Sequence, residues 1–352
     1  MDSRERVRRV LAGQRPDRIP VYDSYWETTL ERWRQEGLPA DVSPHEALDC
    51  DIVILGGDDT LRLPERVLEK DAQYRLYWDH NGALRRDLHG PLGWTSQWLD
   101  YTIKTRADWD RLRHHAVYHP DRIAPGALEA YQQARAQGRA VFYSGHACFH
   151  PTWEKIGMEP ELALMLDDPA FIHDLMTTHV QLMCAIYDGL VALGMTFDGA
   201  LIADDLGYVR APLISPRLYR EIVLPHHRDF VAHLAADGVP AILHSDGNVA
   251  PLIPLFIEAG FAGLHPLECK AGLDLRDLAP LYGDRLIFFG NIDVRALSGT
   301  RAELDAELDA KLEAARHLHG YLFHSDHSVP HTVSLENYRY ALDRVRAQPL
   351  DA

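Results

Sequence analysis

Short apolar runs recur along the chain and alternate with longer stretches of mixed polarity. Eight such runs cover residues 18–22, 51–57, 140–145, 199–203, 239–244, 262–267, 286–290 and 320–325. They are too short and too evenly apolar to be amphipathic helices. Because both faces of each run are apolar, they suit a parallel sheet that is covered on both sides. The pattern predicts eight buried parallel strands.

The stretches between the later runs have helical periodicity. Residues 170–194 and 215–238 each place apolar residues on one broad face, with a capping residue and a proline in front and a glycine behind. Pro225 falls inside the second stretch and is expected to kink or break that helix. Further helices are predicted over 249–259, 301–317 and 335–347.

Strand followed by helix, repeated around the chain, predicts an α/β fold of the (β/α)8 TIM-barrel type. A doubly wound open sheet is the alternative, but no glycine-rich fingerprint follows any predicted strand. Residues 1–352 are therefore interpreted as a single TIM-barrel domain. Residues 60–139 hold too much chain for one crossover, and within them 74–88 indicate a β-hairpin with a two-residue Asn81-Gly82 turn. We interpret this region as an insertion after the second strand, resembling a lid.

Composition and net charge limit the classes of molecule that the protein is expected to bind. The chain is 46% hydrophobic and carries a formal net charge of −16, which disfavours nucleic acid and anionic membranes. No apolar run is long enough to span a bilayer, and the charged N-terminus lacks the apolar core of a signal peptide. The four cysteines are scattered without a paired motif, which indicates reduced thiols in a cytoplasmic protein. The partner that we expect is a small-molecule substrate.

Polar residues follow every predicted strand, where active sites of such barrels lie. Loop polarity alone explains some of them, since chains become polar at strand ends, but it does not explain why histidine and aspartate dominate. In chain order they are Asp23 and Tyr25, Asp58 and Asp59, His146 and His150, Asp204 and Asp205, His244 and Asp246, His265 and Glu268, Asn291 and Asp293, and finally His324, Asp326 and His327.

A His-Ser-Asp tripeptide ends two of these strands, at 244–246 and at 324–326. Residues two apart in extended chain point to the same side, so His244 and Asp246 can offer a nitrogen and an oxygen to one metal ion. With Asp326 from the other copy, such a set suits Zn²⁺, Mn²⁺ or Fe²⁺. Equally, each pair can be a hydrogen-bonded couple that orients a loop, and Asp326 with His327 can be a base and its orienting carboxylate without metal.

The remaining rim residues supply candidates for catalysis and binding. His327, Asp326, Asp205 and Glu268 are the catalytic candidates, as acid–base groups or further ligands. Six residues are the candidates that line a substrate pocket: Asp58, His146, His150, Trp153, Tyr208 and Asn291.

Five segments carry a resemblance to the uroporphyrinogen decarboxylase superfamily. They keep their order over most of the chain: RERVRRVLAGQRPDRIPV (4–21), DDLGYVRAPLISPRLYREIVLP (204–225), LHSDGNV (243–249), GNIDVRALSGT (290–300) and HSDHSVPHTVSLENY (324–338). The resemblance implies a (β/α)8 barrel, in agreement with the strand count.

Two branches of the superfamily are relevant. The decarboxylase branch needs no metal and holds its acidic substrate with arginines, but its N-terminal Arg-Gln-Ala-Gly-Arg signature is absent here, where DSYWETTLERW (23–33) stands instead. The methyltransferase branch exchanges a methyl group with a corrinoid protein, and several of its members carry zinc. Their His-x-Cys pattern matches His244, with Asp246 in place of the first cysteine and Ser325 near the second.

The departure from thiolate ligands puts thiol activation in doubt and favours demethylation of an O- or N-methyl compound. The resemblance then implies zinc and a separate corrinoid protein, because the base-off corrinoid signature is incomplete at Asp87-Leu88-His89. It also makes a homodimer possible. The first hypothesis is thus a corrinoid-dependent methyltransferase; a metal-independent decarboxylase or lyase and a non-catalytic binding barrel are the alternatives.

Overall fold

The computed structural model describes residues 1–90 and 93–348. The described residues form thirteen strands: β1 Ile52–Gly56, β2 Arg66–Lys70, β3 Tyr74–Trp78, β4 Ala83–Gly90, β5 Gly93–Tyr101, β6 Ala140–His146, β7 Gly199–Ala203, β8 Gly207–Tyr208, β9 Ala211–Pro212, β10 Ala241–His244, β11 Gly263–His265, β12 Ile287–Phe289 and β13 Gly320–Leu322. The α-helices are α1 Ser3–Leu11, α2 Glu27–Gln35, α3 Pro44–Ala47, α4 Arg106–Leu112, α5 Ala127–Ala136, α6 Phe149–Ile156, α7 Met158–Asp167, α8 Pro169–Ala192, α9 Pro216–Leu218, α10 Leu224–Ala236, α11 Ile253–Ala259, α12 Leu275–Tyr282, α13 Val294–Leu297, α14 Arg301–Ala315 and α15 Leu335–Arg346.

Seven of the described strands form one parallel sheet in the order β1-β6-β7-β10-β11-β12-β13. Each lies within a predicted apolar run or overlaps it, so these seven predictions are confirmed. The remaining run, 18–22, forms bridges rather than a full strand: Phe323 N donates to Pro20 O at 2.9 Å, and Asp51 N donates to Val21 O at 2.7 Å. This segment therefore lies between the two edge strands, and the architecture is α/β and TIM-barrel-like.

The interior of the barrel is filled by side chains from one face of the strands. Because side chains alternate along a strand, inner and outer residues differ by one position. The inner residues form a small apolar cluster that includes Ile52, Phe142, Ile242, Phe289 and Leu322. The outer side packs under the helices in a much larger cluster. On β6, β10 and β11 the inner side ends in histidine at the carboxyl end of the strand.

The predicted helices are confirmed, and Pro225 acts as expected. The long α8 begins at Pro169, with the Asp168 side chain accepting a hydrogen bond from Phe171 N. Residues 219–223 form a π-helical turn immediately before α10, whose second residue is Pro225. A proline cannot donate the helical hydrogen bond, so the register changes just ahead of it.

Between β1 and β6 the chain forms a four-stranded antiparallel sheet in the order β2-β3-β4-β5. The predicted hairpin is confirmed as β3 and β4, but its turn is longer than the predicted two residues. Asp79 N donates to Ala83 O and Gly82 N to Asp79 O, so the loop includes His80 and Gly82 takes a positive φ of 79°. That this region is an insertion that covers the site stays a prediction.

Among the described residues, no helix is both long and apolar enough to cross a membrane. The four cysteines are free thiols.

Candidate functional site

Inward-facing histidines stand at one level of the barrel mouth. The strand register pairs His146 with Ala203, Ala203 with His244, and His244 with His265. The inner side of the sheet therefore ends in a row of imidazoles at the carboxyl ends of the strands, where barrel enzymes place their chemistry. The small Ala203 leaves a gap in this row between His146 and His244.

A nitrogen and two carboxylates converge at the ends of β7 and β10. His244 Nε2 lies 3.7 Å from Asp205 Oδ1 and 3.9 Å from Asp246 Oδ1. These separations exceed a hydrogen bond but match ligands that share one ion. Asp246 Oδ1 is buried and has no hydrogen-bond partner, and all three ligand atoms lie within 4.8 Å of one another. The residues thus fit a metal with nitrogen and oxygen ligands.

The two carboxylates differ in their proton affinity. Burial raises the pKa of Asp246, and the nearby Asp205 charge adds to this, while His244 opposes it. Burial also acts on Asp205, but the neighbouring His150, 3.1 Å away, and the charge of His244 bring its pKa well below the usual range. Asp205 further accepts a hydrogen bond from Asp246 N at 3.0 Å. A cation between the carboxylates would relieve their mutual repulsion.

His265 contacts the other side of His244. The two Nδ1 atoms lie 2.7 Å apart, so only one of them carries the hydrogen. When His244 Nδ1 donates, its Nε2 keeps a lone pair directed at the two carboxylates, as a metal ligand requires. His265 is fully buried and its pKa lies well below the ordinary value, because burial disfavours its charged form and His324 and His244 add to this.

A second group shares Asp246. Its Oδ2 lies 3.6 Å from His327 Nε2, and one oxygen of Glu268 completes a set within 4.8 Å. Glu268 is buried, accepts a hydrogen bond from Gly247 N at 2.8 Å and lies 2.7 Å from Lys270 Nζ. The His327 ring stacks on Trp26, with centroids 6.1 Å apart. Five of the predicted site residues are therefore brought together: Asp205, His244, Asp246, Glu268 and His327.

The structure does not bring Asp326 into this cluster. Its Oδ1 accepts a hydrogen bond from Val294 N and its Oδ2 from Cys269 N, both at 2.9 Å. Burial raises the pKa of Asp326 to about 6. In the described residues, Asp326 belongs to none of the groups that could hold a metal, and the geometry gives it the role of tying loops together. His324, from the same tripeptide, lies buried 3.2 Å from Asp23.

Asn291 also holds the scaffold rather than facing a substrate. Its amide oxygen accepts hydrogen bonds from Leu275 N at 2.7 Å and Lys311 Nζ at 2.5 Å. Its amide nitrogen donates to the carbonyls of Leu267 and Leu273. The side chain is fully buried, so all of its hydrogen-bonding capacity is used inside the protein.

On the opposite wall, Asp59 rather than Asp58 points to the mouth. Asp59 Oδ2 lies 2.8 Å from His146 Nδ1. Asp58 lines the adjoining cavity, but its oxygens accept hydrogen bonds from Thr60 and Arg62 at 2.7 Å each. Both acids lie in the loop after β1, which ends at Gly56, and there the backbone turns Asp59 rather than Asp58 toward His146.

His150 lies between the Asp59–His146 pair and the cluster of Asp205, His244 and Asp246. Its Nδ1 lies 3.1 Å from Asp205 Oδ2 and its Nε2 lies 3.4 Å from Glu154 Oε1. Burial opposes its positive charge, but these two acids raise the pKa of His150 to about 10. Trp153 is buried and stacks under the His150 ring at 4.6 Å, so it supports the site without lining it. Tyr208 is half exposed on the β8–β9 hairpin, whose backbone binds Asn248 N.

Sequence reasoning missed three residues that the structure places beside the site. Glu154 is four residues after His150 on α6, a helical spacing that could have revealed the pair. His179 of α8 lies 3.8 Å from Asp59, and Trp98 of β5 meets the Trp153 ring edge-on at 5.0 Å. For these two no local signal exists, because each comes from an element distant in sequence.

Comparison with known proteins places the chain in a family. The model of the uroporphyrinogen decarboxylase (URO-D) family matches residues 154–348, more than half of the chain. A uroporphyrinogen decarboxylase of Syntrophotalea carbinolica is 24% identical over 340 residues, covering 93% of this chain and 89% of that protein. A solved methyltransferase structure from Methanosarcina mazei superposes with a TM-score of 0.67 at 16% identity, covering 98% of each chain, and this likeness is one of fold. The chain belongs to the uroporphyrinogen decarboxylase family.

Proposed function

We propose that this protein is a metal-dependent methyltransferase that moves a methyl group from a small O- or N-methyl substrate to a separate corrinoid protein. The observation that carries the proposal is a cluster formed by Asp205, His244 and Asp246, which we call the metal group. In it the buried Asp246 Oδ1 has no hydrogen-bond partner and faces an imidazole nitrogen. The fold shared with a Methanosarcina methyltransferase supports it.

Zinc is the proposed metal. His244 Nε2, Asp205 Oδ1 and Asp246 Oδ1 would hold it, with Glu268 and His327 at hand as further ligands around Asp246. When bound, such an ion supplies Lewis-acid chemistry that weakens the bond between a heteroatom and its methyl carbon. Asp205 takes the ligand position that the sequence suggested for Asp326. The absence of thiolates from this group agrees with a methyl ether or methylamine rather than a thiol substrate.

The chain's own residues would bind and orient the substrate. A cavity of about 470 Å³ opens at the ends of β1 and β6, lined by His146, by small residues and by the charged Asp58, Asp121 and Arg122. Trp26 stacked on His327 offers an aromatic wall beside the metal group. The methyl acceptor has to approach through the open mouth, since Val7 and Val10 of α1 pack against the inner residues of the strands at the other end.

The test combines metal analysis with methyl transfer. Wild-type protein reconstituted with zinc should retain about one ion per chain, and His244→Ala and Asp205→Asn should weaken zinc binding at least about tenfold. The matched control is His233→Ala, because His233 forms a similar 2.8 Å pair with Asp188 on the helical surface. Transfer to cob(I)alamin from methyl ethers and methylamines is followed by the loss of the Co(I) absorbance. Substoichiometric metal after reconstitution with zinc, manganese and iron would contradict the proposal.

A metal-independent decarboxylase is the second candidate, favoured by the family match and by the decarboxylase relative. The negative charges at the barrel mouth argue against a decarboxylase with an acidic substrate. Asp59, Asp205, Asp246 and Glu268 all stand there, and Arg62, close by, is already paired with Asp58 and Asp121. Such a rim would repel a substrate with many carboxylates. Release of CO₂ from uroporphyrinogen without a corrinoid would favour the decarboxylase.

A further inference from the structure

Asp59 and His146 form a carboxylate–imidazole pair outside the metal group. Asp59 comes from the end of β1 and His146 from the end of β6, and the two strands are hydrogen-bonded neighbours. The carboxylate is largely buried, whereas the His146 side chain is 45% exposed. Nδ1 of His146 is used by Asp59, and no described residue hydrogen-bonds its Nε2. The free ring nitrogen is therefore available to a ligand in the mouth.

The strand register sets His146 across from the metal group. His146 and His244 flank Ala203 on adjacent strands, and all three lie on the inner side of the sheet. Strands two apart are separated by about 10 Å. The His150 ring joins the two sides, since its centroid lies 5.8 Å from that of His146 and its Nδ1 lies 3.1 Å from Asp205 Oδ2. A substrate bound over this ring would have the metal group on one side and His146 Nε2 on the other.

Small residues keep this space open. Gly56 pairs with Ser144 in register, and both line the cavity next to His146. A Cβ at Gly56 would lie 2.3 Å from Ser144 O, so the two backbones approach too closely for a side chain there. A larger side chain at Ala203 would fill the gap in the row of imidazoles. The rest of that row, on β10 and β11, is occupied by His244 and His265.

The charges that surround His146 favour its protonated form. Burial alone would lower its pKa, but the charge and hydrogen bond of Asp59 raise the pKa above the ordinary value, with His150 opposing and Glu154 assisting. Asp59 itself remains ionised, because His146, His179 and Lys155 face it. Protonation of the ring, which this shift favours, places an N–H donor at Nε2 while Nδ1 stays paired with Asp59.

We propose that His146, positioned by Asp59, is the proton donor to the heteroatom that loses the methyl group. The bond between the methyl carbon and the heteroatom breaks, the methyl carbon bonds to the reduced corrinoid of the partner protein, and the electron pair stays on the heteroatom. The proton from His146 Nε2 neutralises that pair, and solvent then reprotonates the imidazole. This inference rests on the proposed function and assigns the residue that completes its leaving-group chemistry.

A leaving-group analogue tests the donor without turnover. The probe is 4-nitrophenol, whose anion absorbs visible light, bound to the full-length chain as purified and after addition of zinc. A protonated His146 should raise the bound phenolate-to-phenol ratio about tenfold or more relative to His146→Asn at the same pH. Asp59→Asn should lose most of this increase, and the matched control His233→Ala should keep it.

Kinetics give the second measurement. On a methyl ether that the wild type demethylates, His146→Asn should slow transfer by about 10²–10⁴-fold. The loss should be much smaller for 4-nitroanisole, since 4-nitrophenolate leaves without a proton. In Asp59→Asn the decline of rate at alkaline pH should move to lower pH. A merely structural residue would affect both ethers equally and leave the pH profile in place.

The outcomes separate this inference from the proposed function. Failure of wild-type protein to bind 4-nitrophenol, or an equal phenolate ratio in His146→Asn, overturns the inference even when zinc binding and methyl transfer are intact. A phenolate ratio that depends on His146 in a protein that binds no metal and transfers no methyl group supports the donor and overturns the methyltransferase proposal.

Discussion

Two pairs of consecutive acids show how a neighbouring position changes the role of a residue. Asp205 faces the metal group, whereas Asp204 is fully buried and accepts hydrogen bonds from His150 N and His227 Nε2, both at 2.6 Å. Asp59 likewise faces the mouth and Asp58 does not. Each pair lies in the loop just after a strand, since β1 ends at Gly56 and β7 at Ala203, and there the backbone turns the two side chains in different directions. Residue type alone therefore predicted the site to within one position.

A buried histidine away from the site should control acid stability. His226 of α10 is 2.8 Å from His173 of α8, and burial, with the charges of His173 and His227, lowers its pKa to about 4. Between pH 6.5 and about pH 4, His226 is protonated in the unfolded chain but neutral in the folded chain. The unfolding free energy should therefore fall by about 2 kcal/mol between pH 7 and pH 5.

Urea unfolding at pH 7 and pH 5 measures this effect. His226→Gln should lose much of the dependence on pH, while the exposed His119→Gln should keep it. An equal decrease in stability in all three proteins would refute the assignment to His226.

At the scale of elements, single polar side chains join loops that are distant in sequence. Asn291, at a positive φ of 83°, ties the end of β12 to the loop before α12 and to Lys311 of α14. Asp326 does the same for the loops at Cys269 and Val294. Both residues followed predicted strands and so resembled site residues. Their side chains serve the loops that carry Glu268 and the metal group.

Asn291→Ala should therefore destabilise the fold rather than alter a binding step. The change leaves two buried carbonyls and one buried N–H without a partner and places alanine in a left-handed conformation, at a cost of about 3 kcal/mol. Asn337→Ala is the matched control, since that amide only donates, to the carbonyls of Leu297 and Gly299. Denaturant unfolding compares the variants, and unchanged stability of Asn291→Ala would show that this amide is not a structural clamp.

At the scale of the whole molecule, the closed end of the barrel is secured by charges. Asp51, just before β1, is fully buried and accepts hydrogen bonds from Arg6 Nη1 at 2.6 Å, Arg18 Nη1 at 2.8 Å and Val21 N at 2.7 Å. These contacts join α1 and the segment 18–22 to the sheet. The N-terminal residues that resemble the family therefore close the barrel, far from the mouth.

Removing this carboxylate should weaken the entire domain. Asp51→Ala leaves two arginines without their buried partner, for which we expect a loss of about 3–5 kcal/mol in unfolding free energy. Asp284→Ala, at a site 84% exposed, should change it by less than about 0.5 kcal/mol. Thermal and denaturant unfolding provide the measurement, and a small loss in Asp51→Ala would assign barrel closure to the apolar contacts instead.

The sequence by itself determined the strands of the parallel sheet, the helices between its later strands and the mouth at which the polar residues gather. Those features follow from periodicity and from local turn and cap chemistry, which act over a few residues. Only the tertiary structure decided that Asp205 rather than Asp326 joins His244 and Asp246, that Asp59 pairs with His146, and that Asn291 is internal. Each of these choices depends on the register between strands and on which loop carries an unpaired N–H, and both arise from contacts between residues distant in sequence.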